Sequence, residues 1–204
     1  MQVSIDGSNP EYHDNFRQMK DSWNRAVKGA FEVTKAGIPL TIAHSVTPQN
    51  IDDIDDMCEL AYSLGAGAII IGEVNPSGRS AYSNELLLNY EQKNILYDKI
   101  ENNRVKYKGR LDIQRSSTVK NQLLKYQNTP NSGAIIRPNG DIRIDCMAPF
   151  ILGNILESDF KQVWRDKAKD CWQDERVCEY IRSYNDITDI NDLYKNYVNS
   201  DILL

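Results

Sequence analysis

Apolar and polar positions divide the first 105 residues into three strand-then-helix units. Residues 1–5, 39–45 and 68–74 are short apolar runs, as expected for buried strands. A polar turn follows each run, and then a helical pattern. We predict that Ser22 caps the first helix, that Asn50 caps the second, whose first turns carry acids such as Asp53, and that the third starts near Asn84. Strands that alternate with helices predict a parallel sheet covered by helices, with right-handed crossovers. We therefore predict an α/β fold.

The pattern changes after residue 105. Residues 105–115 read as an extended strand and 116–127 as a polar helix, and a cluster of turn-forming residues then breaks the chain at 128–133. Farther on, Asn139 and Gly140 lie between two short apolar runs, a pattern that indicates a β-hairpin. Amphipathic helices are predicted from residue 158 onward. These changes predict a second, smaller α+β region.

Composition narrows the possible partners and the location. The 24 Lys and Arg residues against 29 Asp and Glu residues give a net charge of −5, which argues against nucleic-acid binding through bulk positive charge. No apolar run approaches the roughly 18 residues of a membrane helix, and the first residues lack the features of a signal peptide. Four cysteines are too few for a disulfide-dense scaffold. We expect a cytoplasmic protein that binds neither nucleic acid nor a membrane.

Several short motifs follow one another along this sequence. Residues 3–7 (VSIDG) and 10–17 (PEYHDNFR) resemble the fourth strand and the following loop of the radical S-adenosylmethionine (SAM) enzymes. Residues 36–40 (AGIPL) and 45–51 (SVTPQNI) and the loop 75–79 (NPSGR) are similar to later family segments and follow in the same order. Residues 133–166 resemble the hairpin, turn and helix of the SPASM-type C-terminal extension. Each motif is weak alone, and the ordered set is specific.

This resemblance implies a domain organisation. Residues 1–112 would form three C-terminal βα units of a partial (β/α)6 TIM-like barrel. Residues 113–132 would be a linker region, and 133–204 would form a SPASM-like hairpin and helical extension. A parallel sheet is normally flanked and buried, yet the first strand starts at residue 1. We therefore expect that the N-terminal half of the enzyme is missing from this chain.

The resemblance also implies a function. Enzymes of this kind use SAM and a [4Fe-4S] cluster to form a 5′-deoxyadenosyl radical, and those with the extension largely modify a peptide or a protein side chain. The family holds the cluster through CxxxCxxC, which is absent from this sequence. We therefore expect the cluster in the complete enzyme and not on this chain alone. The alternative is a non-catalytic module, derived from such an enzyme, that binds a peptide or a partner.

Four residues are candidates for cofactor binding. By resemblance, Ser4 and Arg17 would contact the carboxylate of SAM, Arg17 through a charge-assisted bond. His44 and Arg79 would lie near the carboxyl ends of strands, where barrel folds assemble their sites. The structural alternatives are a strand-end hydroxyl for Ser4, a buried histidine for His44, and exposed loop cations for Arg17 and Arg79.

Two further polar residues in the first motif are interpreted as structural. Asp6 is expected to bind the backbone of its own turn, as Asx residues commonly do. His13 precedes Asp14, and adjacent loop residues often point apart, so we do not interpret His13 as a catalytic base.

Three cysteines are candidate metal ligands. Cys146, Cys171 and Cys178 could bind an auxiliary iron–sulfur cluster or zinc, because soft thiolates bind both. Cys171 and Cys178 are separated by about 10 Å along an α-helix, so they can share a site only if the helix breaks between them. Core or surface thiols are the favoured alternative. The lack of a CxxC pair argues against zinc.

The absence of CxxxCxxC generates a direct prediction. After anaerobic reconstitution with iron and sulfide, the 204-residue chain should hold far less than one [4Fe-4S] cluster per chain, because the ligands are missing. It should also produce no 5′-deoxyadenosine from SAM under reducing conditions. Iron content and chromatography of the products measure both outcomes. Reductive formation of 5′-deoxyadenosine by this polypeptide would contradict the prediction.

Overall fold

A computed structural model gives the architecture of two units. The residues that it describes are 1–75, 80, 82–130, 133–185 and 200–204. The first unit ends at Ser116 and the second begins at Ser117.

The first unit is built on a four-stranded parallel sheet. Its strands pair in the order β1-β2-β3-β4. The elements in chain order are β1 (Gln2–Ser4), α1 (Pro10–Arg17), α2 (Ser22–Lys35), β2 (Thr41–Val46), a 3-10 turn (Ile51–Asp53), α3 (Ile54–Ser63), β3 (Ala68–Glu73), a 3-10 turn (Asn84–Leu86), α4 (Tyr90–Lys106) and β4 (Asp112–Arg115). The predicted α/β class with a parallel sheet is confirmed.

The two faces of this sheet differ in chemistry. Side chains alternate between the faces along each strand, so the register sorts them into two sets. One face is apolar and buried, and it includes Ile42, Ile69 and Ile113. Apart from Ile70, the other face carries small or polar side chains that are partly or fully exposed: Gln2, Ser4, Thr41, Ala43, Ser45, Ala68, Gly72, Asp112 and Gln114. The core of the first unit therefore lies on one side of the sheet.

The segment between β1 and α2 differs from its predicted form. Residues 10–17 form helix α1, with Pro10 at its first position and the Asn9 side chain accepting the Tyr12 N–H. Ser22 does not cap α2 with its side chain; its hydroxyl donates to Asp14. The Asp14 carboxylate accepts the N–H groups of the next helix start, from residues 21 and 23. The cap of α2 thus comes from the preceding helix.

The third βα unit is longer than the pattern suggested. Helix α4 extends to Lys106 and starts with a capping box between Asn89 and Gln92. Consequently, only residues 112–115 of the predicted strand 105–115 are extended. They pair parallel with β3, so the sheet has a fourth strand beyond the three predicted units.

The second unit contains a mixed sheet and three helices in the described ranges. Its strands pair in the order β5-β6-β7-β8, and the predicted hairpin is confirmed as the antiparallel pair β5 and β6. Its elements are α5 (Val119–Asn128), β5 (Ile135–Ile136), β6 (Asp141–Arg143), β7 (Phe150–Asn154), α6 (Phe160–Lys167), a 3-10 turn (Cys171–Gln173), α7 (Glu175–Ser183) and β8 (Ile202–Leu203). Trp172 is fully buried in its core.

The predicted linker 113–132 is structured over most of its described length. It contains most of β4 and all of α5, whose Leu123 is fully buried in the core of the second unit. The division between the two units falls after Ser116, within the predicted linker. No helix in the described ranges has the length and apolar content that crossing a bilayer requires.

Close packing of β3 against the residue after β4 makes glycine necessary at position 72. A methyl group added at Gly72 would lie 2.2 Å from Ser116 Oγ and 2.8 Å from Ser116 Cβ. We predict that Gly72→Ala lowers the free energy of unfolding by about 1–3 kcal/mol through overpacking. Adding Ser116→Gly should restore most of that loss, which denaturant unfolding of both single variants and the double variant would measure.

Gly67→Ala is the matched control for this prediction. The nearest atom to an added methyl group there is Leu40 O at 3.9 Å, an ordinary contact. Gly67→Ala should therefore change the free energy of unfolding by less than about 1 kcal/mol. An equal loss in Gly72→Ala with and without Ser116→Gly would contradict the proposed clash.

Candidate functional site

An open cavity lies at the carboxyl ends of β2 and β3, beside the end of helix α1. Its volume is about 940 Å³, and its lining includes Arg17, Ser45 and Glu73. Arg17 ends helix α1, Ser45 is the penultimate residue of β2, and Glu73 is the last residue of β3. In open α/β sheets, ligands bind in crevices outside the carboxyl ends of the strands. This cavity is therefore the candidate site.

Arg17 is paired with a buried carboxylate. The Asp6 side chain has no exposed surface, and its Oδ2 lies 2.5 Å from both Nε and Nη2 of Arg17. The Asp6 Oδ1 accepts the Ser45 N–H at 3.1 Å. The Arg17 side chain remains 42% exposed, so its guanidinium can contact a ligand in the cavity while it is bound to Asp6.

Side chains from distant parts of the chain fix the loop between β1 and α1. Asp53 Oδ2 accepts the Ser8 N–H at 2.6 Å, and its Oδ1 accepts the Ser8 hydroxyl. Trp23 Nε1 donates to Gly7 O at 2.9 Å. Because these contacts satisfy backbone groups of the loop, it holds a defined conformation beside the cavity.

Asn50 links the ends of β1 and β2. Its side-chain amide donates to Asp6 O at 3.1 Å and to Ser45 O at 2.9 Å, and its oxygen accepts the Thr47 N–H at 2.7 Å. The prediction that Asn50 caps a helix is therefore wrong, since its side chain makes no cap bond and a 3-10 turn follows it. The three hydrogen bonds to the strand ends use its amide instead.

The candidate residues Ser4 and Arg17 have different positions. Ser4 pairs with Ala43 in the sheet, lies on the polar face and is exposed. It is not among the described residues that line the cavity, whereas Arg17 is. Arg79 lies outside the described residues. The structure thus supports the position of Arg17 most directly.

His44 lies on the other face of the sheet. It is 3% exposed, and its Nδ1 is 3.1 Å from Ile5 O, while its buried Nε2 has no hydrogen-bond partner among the residues that the structure describes. Burial lowers its pKa. The prediction that His44 contacts the cofactor has no geometric support, because strand alternation turns its side chain into the core.

His13 has a structural role, as predicted. It is 2% exposed, and its Nδ1 accepts the Asp6 N–H at 2.9 Å, so the ring must be neutral at that nitrogen. Burial lowers its pKa. Asp6 differs from its prediction: its carboxylate binds Arg17 and Ser45 rather than its own turn, because a fully buried charge requires a cation.

The structure does not bring the three candidate cysteines together. Within the described ranges, no three His, Cys, Asp or Glu side chains come together as ligands. The helix does break between Cys171 and Cys178, at Asp174. However, the Cys171 thiol donates to Ala168 O and the Cys178 thiol to Trp172 O. Burial raises the pKa of Cys171 to about 11, which disfavours the thiolate that a metal binds.

Cys146 is exposed in the connection between β6 and β7. Partial desolvation of its sulfur raises the pKa of Cys146, and the neighbouring Asp145 carboxylate adds to the effect. The three cysteines thus occupy a core, a half-buried and an exposed position, which is the arrangement of ordinary thiols.

Chemically, the cavity is suited to an anionic group. It offers one half-exposed guanidinium, and a planar fork of N–H donors matches a carboxylate. Glu73 adds little charge of its own, because it pairs with Lys93 at 2.7 Å and accepts the Tyr97 hydroxyl at 3.1 Å.

Comparison with known proteins identifies the family. No protein-family model matches the chain. The AdoMet-dependent heme synthase of Methanosarcina barkeri is 40% identical over 86 residues, which cover 42% of this chain and 25% of that protein. Mycofactocin maturase MftC of Mycolicibacterium smegmatis is 32% identical over 176 residues, covering 81% and 44%. The chain belongs to the radical SAM enzymes.

A solved structure of similar fold agrees with this membership. SuiB of Streptococcus suis has been solved with S-adenosylmethionine and with its precursor peptide SuiA. Each of the two structures matches this chain with a TM-score of 0.61 at 13% identity. The alignment covers 44% of SuiB in both cases, and it covers 85% of this chain in the S-adenosylmethionine complex and 90% in the peptide complex. This chain spans less than half the length of each of these relatives.

Sequence reasoning missed the residues that hold Arg17 and the loop in place. Asp6 and Asp53 were interpreted as turn or helix-start residues, and Asn50 as a cap. One usable signal was present for Asp6. An acid that directly follows a buried strand needs a cation, and Arg17 is the first cation after it in the sequence.

The two histidines generate a pH prediction. They are the only histidines in the chain, and the folded state lowers the pKa of both. Below about pH 6.5, the unfolded chain therefore binds more protons than the folded chain, and stability falls as the pH falls. Each histidine contributes at most about 1.4 kcal/mol per pH unit to this slope.

His44→Gln should reduce the slope of unfolding free energy between about pH 7 and 5.5, where ordinary carboxylates stay ionised. The glutamine amide can still donate to Ile5 O. Denaturant unfolding at several pH values measures the slope, and His13→Gln is the parallel variant. A slope that both variants leave unchanged would show that the buried histidines do not cause it.

Proposed function

We propose that this chain is the C-terminal portion of a radical SAM enzyme that modifies a peptide or a protein side chain, and that its share of the site is to bind the carboxylate of SAM. The observation that carries this proposal is Arg17, which lines the cavity at the strand ends with the buried Asp6 behind it. Ser4, the second contact that the resemblance implies, is exposed on the polar face of β1 but is not among the described residues that line this cavity.

The residues present fit SAM and do not fit the cluster. In the complete enzyme, SAM reduced by one electron from a [4Fe-4S] cluster held elsewhere would supply the radical chemistry that acts on the substrate. This sequence contains no CxxxCxxC to hold the [4Fe-4S] cluster, so no step through the cluster is assigned to its residues. Their task is to bind and orient the methionine end of the cofactor.

A peptide substrate is supported by similarity to peptide-modifying enzymes. SuiB, which shares the fold, has been solved with its precursor peptide, and the relatives include a PqqA peptide cyclase of Rhizobium meliloti that is 33% identical over 114 residues. We propose that residues 133–204 form a SPASM-like extension that helps to place such a peptide. The hairpin β5 and β6 supports this assignment.

A non-catalytic binding module is the second candidate. The missing cluster motif favours it, because a module that only holds a peptide or partner needs no cluster. The DNA upstream of the Met1 codon separates the two: an in-frame CxxxCxxC supports the enzyme, whereas a strong translation start at Met1 supports the module.

The proposed cofactor site predicts an effect of Arg17→Lys. Lysine keeps the charge but lacks the planar fork, so binding of S-adenosylhomocysteine, which carries the same carboxylate, should weaken. A charge-assisted bond contributes about 1.5–3 kcal/mol, which corresponds to a roughly tenfold to hundredfold loss of affinity. Calorimetric titration of the 204-residue chain measures this loss.

Arg25→Lys is the matched control, because Arg25 is an exposed cation on α2 and does not line the cavity. The Arg25→Lys variant should bind S-adenosylhomocysteine with the same affinity as the parent chain. If Arg17→Lys also binds like the parent, Arg17 is not a ligand of the carboxylate, and the assignment of Ser4, which rests on the same motif, is withdrawn as well.

A further inference from the structure

Every polar group of Asp6 is paired within the protein. Besides the carboxylate contacts to Arg17 and Ser45, its N–H donates to His13 Nδ1 at 2.9 Å and its carbonyl accepts from Asn50 at 3.1 Å. These partners come from α1, from β2 and from the turn after β2. The orientation of this carboxylate is therefore fixed from several directions.

Only a carboxylate satisfies these contacts. Both oxygens accept from N–H donors, with Arg17 on one and the Ser45 N–H on the other. Asparagine has the same shape but presents an NH2 group at one of the two positions. That NH2 would face either the guanidinium or the Ser45 N–H, which leaves two donors in contact. Asp6→Asn must therefore break one of the two interactions.

We propose that Asp6 is a positioning residue for the cofactor: its carboxylate holds the Nε edge of Arg17 so that the guanidinium faces the cavity at the strand ends. This inference rests on the proposed function, since it concerns how Arg17 meets the carboxylate of SAM. An arginine side chain has many rotamers, and holding one of them before the ligand arrives reduces the entropy lost on binding.

Asp6→Asn has two opposing effects on binding of a carboxylate, because it removes a negative charge and also releases the Arg17 side chain. A negative Asp6 opposes an incoming carboxylate, so charge alone predicts tighter binding once that charge is removed. Release of Arg17 predicts weaker binding, because the guanidinium is no longer held in one orientation by the Asp6 carboxylate. Since the Asp6 side chain has no exposed surface and its charge is paired with Arg17, we expect the loss of the Arg17 position to dominate.

The test compares two ligands on the 204-residue chain. S-adenosylhomocysteine carries the amino-acid carboxylate, and 5′-methylthioadenosine lacks it. We expect Asp6→Asn to weaken binding of S-adenosylhomocysteine by about tenfold and to change binding of 5′-methylthioadenosine by less than about twofold. Asp53→Asn is the matched control, because Asp53 anchors the same loop through Ser8 and makes no contact with Arg17.

Two results would overturn the inference. One is unchanged or tighter binding of S-adenosylhomocysteine by Asp6→Asn. The other is an equal loss for both ligands, which a general distortion of the loop would produce. Failure of the parent chain to bind S-adenosylhomocysteine would instead refute the proposed function itself, so the two failures are distinguishable.

A second measurement uses the unaltered chain, in case Asp6→Asn does not fold. The Arg17 Nε–H signal in a nitrogen-15 NMR spectrum, assigned by its loss in Arg17→Lys, should exchange slowly with water because Asp6 binds it. It should shift on addition of S-adenosylhomocysteine and not of 5′-methylthioadenosine. Exchange as fast as that of a solvated arginine would overturn the inference.

Discussion

The first unit depends on the burial of one negative charge. A carboxylate without solvent contact is costly unless a cation and hydrogen-bond donors surround it, and Asp6 obtains both. To supply them, α1 must place Arg17 beside β1, and β2 must present the Ser45 N–H at the same height. The same constraint therefore fixes the end of β1, the direction of α1 and the edge of the cavity.

Local patterns predicted the elements better than their connections. The apolar runs identified β1, β2 and β3, and the Asn-Gly pair identified the hairpin of the second unit, because these signals act within a few residues. Ser22 and Asn50 were misassigned as caps. Their partners are residues whose proximity is set by the fold, such as Asp14 for Ser22 and Asp6 for Asn50. A side chain that can cap can equally satisfy a distant backbone group.

Prediction from local sequence was limited in the same way for the residues of the candidate site. Resemblance pointed to Arg17, and the structure places it in the cavity. His44 was expected near the same strand ends, but the prediction ignored the alternation that turns it into the core next to Ile5. One residue further, Ser45 donates its N–H to Asp6 and lines the cavity. In a strand, a shift of one position separates a core residue from a site residue.

A radical SAM enzyme must hold both the carboxylate of SAM and an iron–sulfur cluster, and these two tasks require different side chains. Holding a carboxylate requires a fixed cation, and Arg17 with Asp6 provides it from within the first 17 residues and β2. Holding a cluster requires thiolates at close spacing, and the described cysteines are instead buried, bonded to backbone carbonyls or isolated on the surface. Burial that suits a packed core raises a thiol pKa, whereas a cluster needs it lowered. In the proposed function, Arg17 and Asp6 therefore serve the amino-acid end of the cofactor, whereas the cysteines that the structure describes are not brought together as ligands of one site.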